Sequence, residues 1–327
     1  MNKTFRALQS SKSDSGHNLA VVEREIQDLP KGDLLIKVSY SSLNYKDALS
    51  ASGAPGVTRN YPHTPGIDAV GTVEQTTSSL FKEGDKVIVT GYDLGMNTSG
   101  GFSEYISVPA SWALLLPRAM SEKESMILGT AGLTAGLSVL ALEKYTGVKG
   151  TNSIVTGSTG GVGSISLALL SKLGSKVTAV SGKAEKKEFL KSIGAYEVLS
   201  REELSEKCKL PIGKSIWDIG VDVVSGEILS LLLTSLTPGG AIACSGLVGG
   251  PSFKSSIFPF ILRGNALIGI DSVEINLKEK EEIWNLLSED WKVDTSGFIK
   301  EVELENLPEE IDNILKGTIV GRVLLKL

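Results

Sequence analysis

Cysteine and histidine are nearly absent from this chain: its 327 residues include only Cys208, Cys244, His17 and His63. Two cysteines exclude a disulfide framework and suit a reducing cytoplasm. These four residues, none adjacent in sequence, are too few for an obvious zinc site. Positive charge is not in excess either. The 33 Lys and Arg against 38 Asp and Glu leave a net charge of -5 and a pI near 5.4. That balance lacks the electrostatic footprint of a nucleic-acid binder. No apolar run approaches the length of a membrane span. The N-terminal MNKTFRALQSSKSDSGHNL has no hydrophobic core of the signal-peptide kind. A cytoplasmic location without membrane or nucleic-acid partners is therefore expected. What remains is 41% hydrophobic and 22% charged, a globular composition. The chain is too long for one ordinary core, so two domains are expected.

The first 120 or so residues read as short strands broken by Gly, Pro and Asn segments. Leu34–Leu43, Ala69–Thr76 and Asp85–Tyr92 are the clearest of them, and their spacing suggests a barrel-like β domain. The texture changes at Ser121, which with Glu124 forms a capping-box pattern at the head of one or two helices running to Tyr145. From Asn152 onward strands alternate with helices. NSIVT, KVTAVS, YEVLS, DIGVDVVSG, AIACSG and ALIGI are strand candidates, with helices ending at Gly174 and Gly194 and another over Glu227–Ser235. This order implies right-handed crossovers and a parallel sheet. A charged helix (LKEKEEIWNLLSEDW) and two strand candidates, GFIKEVEL and GTIVGRVLLKL, close the chain.

Glycine is concentrated in TGSTGGVGS, Thr156–Ser164, between the first strand and first helix of that alternating region. A glycine cluster by itself is usually only a turn. In the order strand, glycine loop, helix, strand it points to dinucleotide binding. Absent Cβ atoms let a pyrophosphate approach the backbone, and the helix N-terminus offers free N–H groups and a favourable dipole. Gly160, Gly161 and Gly163 are the key candidates, with Ser158, Thr159 and Val162 beside them. About twenty residues further on, a carboxylate would hold the ribose 2′-hydroxyl of NAD. Here Ser181, Gly182 and Lys183 stand at that point. A hydroxyl and an ammonium suit a 2′-phosphate, which favours NADPH. The alternative for Lys183, Lys186 and Lys187 is a solvated helix start.

With these residues in view, the chain resembles the medium-chain dehydrogenase/reductase superfamily, which joins a GroES-like β-barrel domain to a Rossmann doubly wound parallel sheet. SSLNYKDAL, PGIDAVGTV, GTAGLTA, VTGSTGGVGS, VSGKAEKKEFLKSIGA, PFILRG and GIDSV are similar to its zinc-independent, quinone-oxidoreductase-like acrylyl-CoA reductase subgroup. Zinc-dependent relatives carry Gly-His-Glu where this chain has Gly66–Ile67–Asp68, and no Cys stands near Asn44–Tyr45. No metal is expected, and His63 reads as a loop or packing residue. The resemblance implies an α/β protein with residues 1–123 and 274–327 in the GroES-like domain and 124–273 in the Rossmann domain. It assigns Tyr45 to the nicotinamide and substrate, and Ser181, Lys183 and Arg201 to the adenosine phosphate. Leu247, Ile261 and Ser272 would line the cofactor cleft, and Arg322 would reach the cofactor. Arg263–Gly264–Asn265 departs from the Arg-Asn pair usual after PFIL.

The activity implied is metal-free reduction of the C=C bond of a short 2-enoyl-CoA, acrylyl-CoA to propanoyl-CoA in particular, in a homodimer. Such a reaction needs hydrogen-bond donors for a developing enolate and a proton for the α-carbon. Tyr45 is the candidate for orienting the carbonyl or relaying a proton, against a core strand aromatic as the alternative. Asn44 is a candidate amide donor, and Lys46 and Asp47 could shape the pocket or pair with each other. Arg59 reads as a solvated cation. Two other readings share the cofactor motif: a quinone or enone reductase, and a non-enzymatic NADPH-binding sensor.

Overall fold

The structure, a computed structural model, describes residues 3–14, 16–208 and 214–327. In chain order these form β1 (Thr4–Ser13), β2 (Gly16–Glu25), β3 (Leu34–Leu43), α1 (Tyr45–Ala51), β4 (Asp68–Thr76), β5 (Lys86–Thr90), β6 (Tyr105–Val108) and β7 (Ala113–Leu115). Next come α2 (Glu122–Tyr145), β8 (Asn152–Val155), α3 (Gly161–Lys172), β9 (Lys176–Val180), α4 (Lys187–Ser192), β10 (Ala195–Leu199) and α5 (Arg201–Lys207). The remainder is β11 (Trp217–Asp222), α6 (Gly226–Thr234), β12 (Leu236–Cys244), α7 (Phe258–Arg263), β13 (Ala266–Gly269), α8 (Leu277–Ser288), β14 (Ile299–Val302), α9 (Leu307–Leu315) and β15 (Arg322–Lys326). The strands expected from the sequence are present. The hairpin β1–β2, strands β6 and β7 and helices α1, α5, α7 and α9 go beyond them.

Two compact units divide the chain. The first comprises Met1–Thr130, Ser272–Glu289 and Thr295–Leu327; the second comprises Ala131–Asp271 and Asp290–Asp294. In the first unit a sheet runs β14-β15-β3-β4-β5-β7, with β6 also on β3. Its pairings are antiparallel except for β14 with β15. Alternation in β3 sends Leu34, Ile36 and Val38 into a core with Val73, Val87, Val89 and Ile106. A second core, under α1 and α9, gathers Leu43, Ala48, Phe102, Leu307, Ile311 and Val323.

The second unit is a six-stranded sheet in the order β10-β9-β8-β11-β12-β13, parallel throughout. This doubly wound order changes direction at β8, where β9 and β10 lie to one side and β11 to β13 to the other. Ligands in such sheets bind beyond the carboxyl ends of the strands at that switch. Its core packs Ile154, Val180, Leu204, Trp217, Leu232 and Ile242.

Helix α2 corrects one expectation. It contains a stretch long and apolar enough to cross a membrane, yet most of that stretch is buried inside the protein. Ser121 heads it as expected, its hydroxyl accepting from Glu124 N at 3.2 Å while the Glu124 carboxylate accepts from Ser121 N at 2.8 Å. The helix is broken at Gly129 (φ 51°, ψ -152°), a conformation essentially restricted to glycine.

Candidate functional site

In the second unit the loop after β8 is tied at both ends before α3 begins. Thr156 N donates to Val221 O at 3.0 Å and Thr156 Oγ1 to Asp222 Oδ1 at 2.6 Å. The Ser158 hydroxyl, expected to meet a cofactor, instead donates to Val155 O at 2.7 Å and accepts from Val180 N at 3.0 Å. Fully buried, it braces the loop and is corrected from ligand to frame. A Cβ at Gly163 would lie 2.3 Å from Gly157 O, so helix and loop close together only without a side chain there. At Gly160 the nearest atom to a Cβ would be 3.4 Å away, leaving the outer side open. The first-turn N–H groups of Gly161, Val162 and Gly163 have no helical acceptor; Ser164 N is the first to bond back, to Gly160 O at 2.9 Å. An unobstructed glycine wall under an uncapped helix N-terminus fits a pyrophosphate.

At the end of β9, Ser181 Oγ accepts from Lys183 N at 3.0 Å and lies 3.5 Å from Thr159 Oγ1. The exposed Arg201, first residue of α5, lays its guanidinium beside Gly182, whose Cβ would be 3.3 Å from Nε. Burial pulls the Lys183 ammonium below its ordinary pKa. The structure thus brings Ser181, Gly182, Lys183 and Arg201 into one hydroxyl-and-cation corner. Leu247 and Ile261, also in this unit, are exposed apolar side chains.

The first unit contains a buried polar cluster. Asp68, a carboxylate within the apolar strand β4, is fully buried and has four donors. Ser42 Oγ (2.6 Å), Asn44 Nδ2 (2.7 Å) and Thr130 N (2.9 Å) reach Oδ2, and Thr130 Oγ1 reaches Oδ1 at 2.6 Å. The kink at Gly129 makes room for it: a Cβ there would lie 2.5 Å from Asp68 Oδ2 and 3.0 Å from Arg322 Nη2. Arg322 is the second correction. The residue is 3% exposed and its guanidinium is directed inward, Nε to Ile127 O at 2.9 Å and Nη1 to Leu43 O and Asn44 Oδ1, each at 3.2 Å. The Asn44 amide is the third. Asn44 also donates to Ser42 O and Asp47 Oδ2, so both its donors and its acceptor are engaged inside the unit. It positions the start of α1 and has no donor left for a substrate.

Asp47 likewise turns inward, accepting from Asn44 N at 2.8 Å and Ile67 N at 2.7 Å, and does not pair with its sequence neighbour Lys46. Tyr45, first residue of α1, is 37% exposed and lies on a helix, not a core strand. Ser272 precedes a clasp in which Lys280 Nζ donates to Thr90 O (2.7 Å) and Val273 O (3.0 Å) beneath the Tyr92 ring. His63 is buried against the hairpin, exchanging backbone bonds with Ser10. Among the described residues no group of three or more His, Cys, Asp or Glu is placed to hold a metal ion.

Two buried carboxylates face one buried guanidinium, and the imbalance appears at Asp47. Burial, then the Asp68 charge, push its carboxyl up to about 7 against the N–H groups that favour ionisation. The folded state therefore keeps a proton that the unfolded chain, with its ordinary value of 3.8, releases. Stability from this group is full below about pH 4, falls as pH rises to about 7 and is level above. The change is on the order of 4 kcal/mol at most. Urea midpoints measured from pH 5 to 8 should decline for the wild type relative to Asp47→Asn; parallel curves would refute the assignment.

A doubly wound parallel sheet joined to a mainly antiparallel β unit defines a two-domain dehydrogenase-type fold. Residues 30–118 match the alcohol dehydrogenase GroES-like domain and residues 161–289 the zinc-binding dehydrogenase family. YhfP of Bacillus subtilis (strain 168), provisionally named a quinone oxidoreductase, is 43% identical over all of both chains. A solved structure of that protein with NAD bound has a TM-score of 0.96 at 42% identity, covering 99% of this chain and 100% of that one. The acrylyl-CoA reductase AcuI of Ruegeria pomeroyi is 39% identical over 98% of each chain. The yhdH oxidoreductase of Salmonella enterica in complex with NADP has a TM-score of 0.93 at 38% identity, covering 98% of this chain and 99% of that one. The chain belongs to the medium-chain dehydrogenase/reductase superfamily, among the quinone-oxidoreductase-like and acrylyl-CoA reductase proteins. Where its zinc-dependent members place ligands, this chain carries Ile67 and lacks a cysteine near Asn44.

Asp68, Ser42, Thr130 and Asp222 were not singled out from sequence as site-building residues. Asp68 and Asp222 did leave a signal, each being a charge inside an apolar strand run (IDAVGTV and DIGVDVV).

Proposed function

We propose that this protein is an NADPH-dependent reductase of activated C=C bonds, acting without metal on a short 2-enoyl-CoA, acrylyl-CoA to propanoyl-CoA. The observation that carries the cofactor choice is the corner of Ser181, Lys183 and Arg201, which offers a 2′-phosphate a hydroxyl and two cations. Likeness to AcuI supports the substrate class. When bound, NADPH supplies the hydride that adds to the β-carbon. The first-turn N–H groups of α3 hold the pyrophosphate. The exposed Tyr45 hydroxyl, which has no hydrogen-bond partner among the described residues, donates to the thioester oxygen as charge develops there. Asn44, Asp47 and Asp68 fix the helix start that presents Tyr45, and a solvent-derived proton completes the α-carbon.

The direct test follows NADPH absorbance with acrylyl-CoA, a longer enoyl-CoA and a quinone in parallel. Preference for acrylyl-CoA by a large factor in kcat/KM is expected. Turnover of the quinone alone would replace the reading with the one that YhfP's name suggests. Binding of NADPH without turnover of any of the three would make the protein a sensor.

The reading also places the protein in the reducing cytoplasm, with Cys208 and Cys244 as free thiols, and pairs it as a homodimer. Among the described residues strand β13 ends its sheet with no partner on its outer side, and Val248, Ile257, Phe258 and Leu262 in the same unit are exposed. Light scattering should give twice the 34.6 kDa of one chain; the mass of a single chain would refute pairing.

A further inference from the structure

Ser225 has the backbone of a glycine. Its φ of 65° and ψ of -157° fall in a region that side-chain-bearing residues avoid. The next residue, Gly226, also has positive φ (62°), and a Cβ there would lie 2.6 Å from Gly249 O. Crowding thus requires a glycine at 226. Among the described residues no hydrogen bond to its side chain calls for a serine at 225. Its N–H donates to Asp222 Oδ2 at 2.8 Å, which a glycine would do equally well. Its hydroxyl does not cap α6 and has no hydrogen-bond partner among the described residues. A glycine would relax the backbone and lose no internal contact made by that hydroxyl.

The position supplies the missing reason. Ser225 lies on the turn after β11, and that turn is packed onto the glycine loop. A Cβ at Gly157 would be 2.6 Å from Val223 Cγ2, and Val223 N donates to Thr156 Oγ1 at 3.2 Å. The loop after β12 closes on the same turn through Gly249 N to Val224 O at 2.7 Å. Asp222 ties these parts together, accepting from Thr156 Oγ1 on Oδ1 and Ser225 N on Oδ2. Ser225 therefore belongs to a hydrogen-bonded rim at the carboxyl ends of β8, β11 and β12.

Sheet order decides which end of a dinucleotide meets that rim. The 2′-phosphate corner is at the end of β9 and the pyrophosphate cradle follows β8. A cofactor held at both points continues over the next strand, β11, with its other nucleoside. We infer that the Ser225 hydroxyl hydrogen-bonds the nicotinamide nucleoside of the cofactor, and that this contact keeps a serine in a glycine conformation. The inference rests on the NADPH reading above.

The test measures binding to the full-length protein, by NADPH fluorescence, for wild type, Ser225→Ala and Ser225→Gly. Ser225→Ala keeps the Cβ and the strain and loses only the hydroxyl. NADPH should bind roughly 3–10-fold more weakly, the value of one neutral hydrogen bond, with Tm unchanged. Ser225→Gly should show a similar loss together with a Tm higher by about 2–5 °C as strain is relieved. Adenosine 2′,5′-bisphosphate, which lacks the nicotinamide nucleoside, should bind all three proteins equally; weakening of that ligand too would indicate a collapsed rim and overturn the inference. Equal NADPH affinity in all three proteins would overturn it while leaving the cofactor reading intact. Failure of the wild type to bind NADPH would overturn both.

Discussion

Asp68→Ala is expected to destabilise the first unit by about 3–5 kcal/mol, the range for breaking a buried charged network. The substitution removes the Asp68 acceptor from the hydroxyls of Ser42 and Thr130, from Thr130 N and from the Asn44 amide, which keeps only its longer bonds to Ser42 O and Asp47 Oδ2. It also leaves the buried Arg322 guanidinium with Asp47 as its nearest remaining carboxylate in the cluster. Against total stabilities of roughly 5–15 kcal/mol this is a large fraction, and calorimetry should show Tm lower by roughly 10 °C or more. A companion effect separates this account from a simple cavity. Without the Asp68 charge, the Asp47 carboxyl loses a cause of its elevation and returns toward the ordinary range. The decline of stability with rising pH seen in the wild type should then flatten in the variant. A loss below about 1 kcal/mol, or an unchanged pH slope, would show that the cluster does not act as a unit.

The second large effect concerns the choice of nicotinamide cofactor. Reversing both cations of the corner, with Lys183→Glu and Arg201→Glu together, is expected to lower kcat/KM for NADPH by about 100-fold or more. Each charge-assisted hydrogen bond to a phosphate is worth roughly 1.5–3 kcal/mol, and every 1.4 kcal/mol is tenfold. The comparison with NADH makes the result specific. A cofactor with a 2′-hydroxyl asks nothing of these side chains, so its kcat/KM should stay within about threefold. Arg201 is exposed at the start of α5 and Lys183 is only partly buried, so folding should survive. Equal losses with NADPH and NADH would mean that the residues shape the loop and do not read the phosphate.

Much of the second unit was legible because its signals are local. The glycine loop stands between a strand and a helix within a few residues, and close packing at Gly163 is a demand on one position. Gly174 and Gly194 end their helices where expected, each with positive φ. The capping pair Ser121 and Glu124 is a three-residue relation read directly from the chain. Helix α5 bears the same signature, with the Ser200 hydroxyl accepting from Glu203 N and the Glu203 carboxylate accepting from Ser200 N, and its seven residues lie within a short charged stretch. Helix α1 was less legible. Asn44 and Asp47 cap it, but the apolar strand directly before it kept a core strand aromatic open as the alternative for Tyr45.

What the chain determined by itself was therefore the doubly wound sheet, the glycine cradle and the cationic corner at the end of β9, because each depends on neighbours close in sequence and on backbone conformations that few residues adopt. Tertiary structure alone decided the direction of the polar side chains. Arg322 turns inward because Asp68 and Asn44, more than 250 residues earlier, offer a buried charge and acceptor within reach, with Gly129 leaving the space. Asn44 has no donor left for the same reason, and Ser158 became a brace because β9 lies alongside its hydroxyl. A buried polar group must take the partners that folding brings to it, since an unpaired one costs about 1–3 kcal/mol, and those partners come from strands paired across the whole chain.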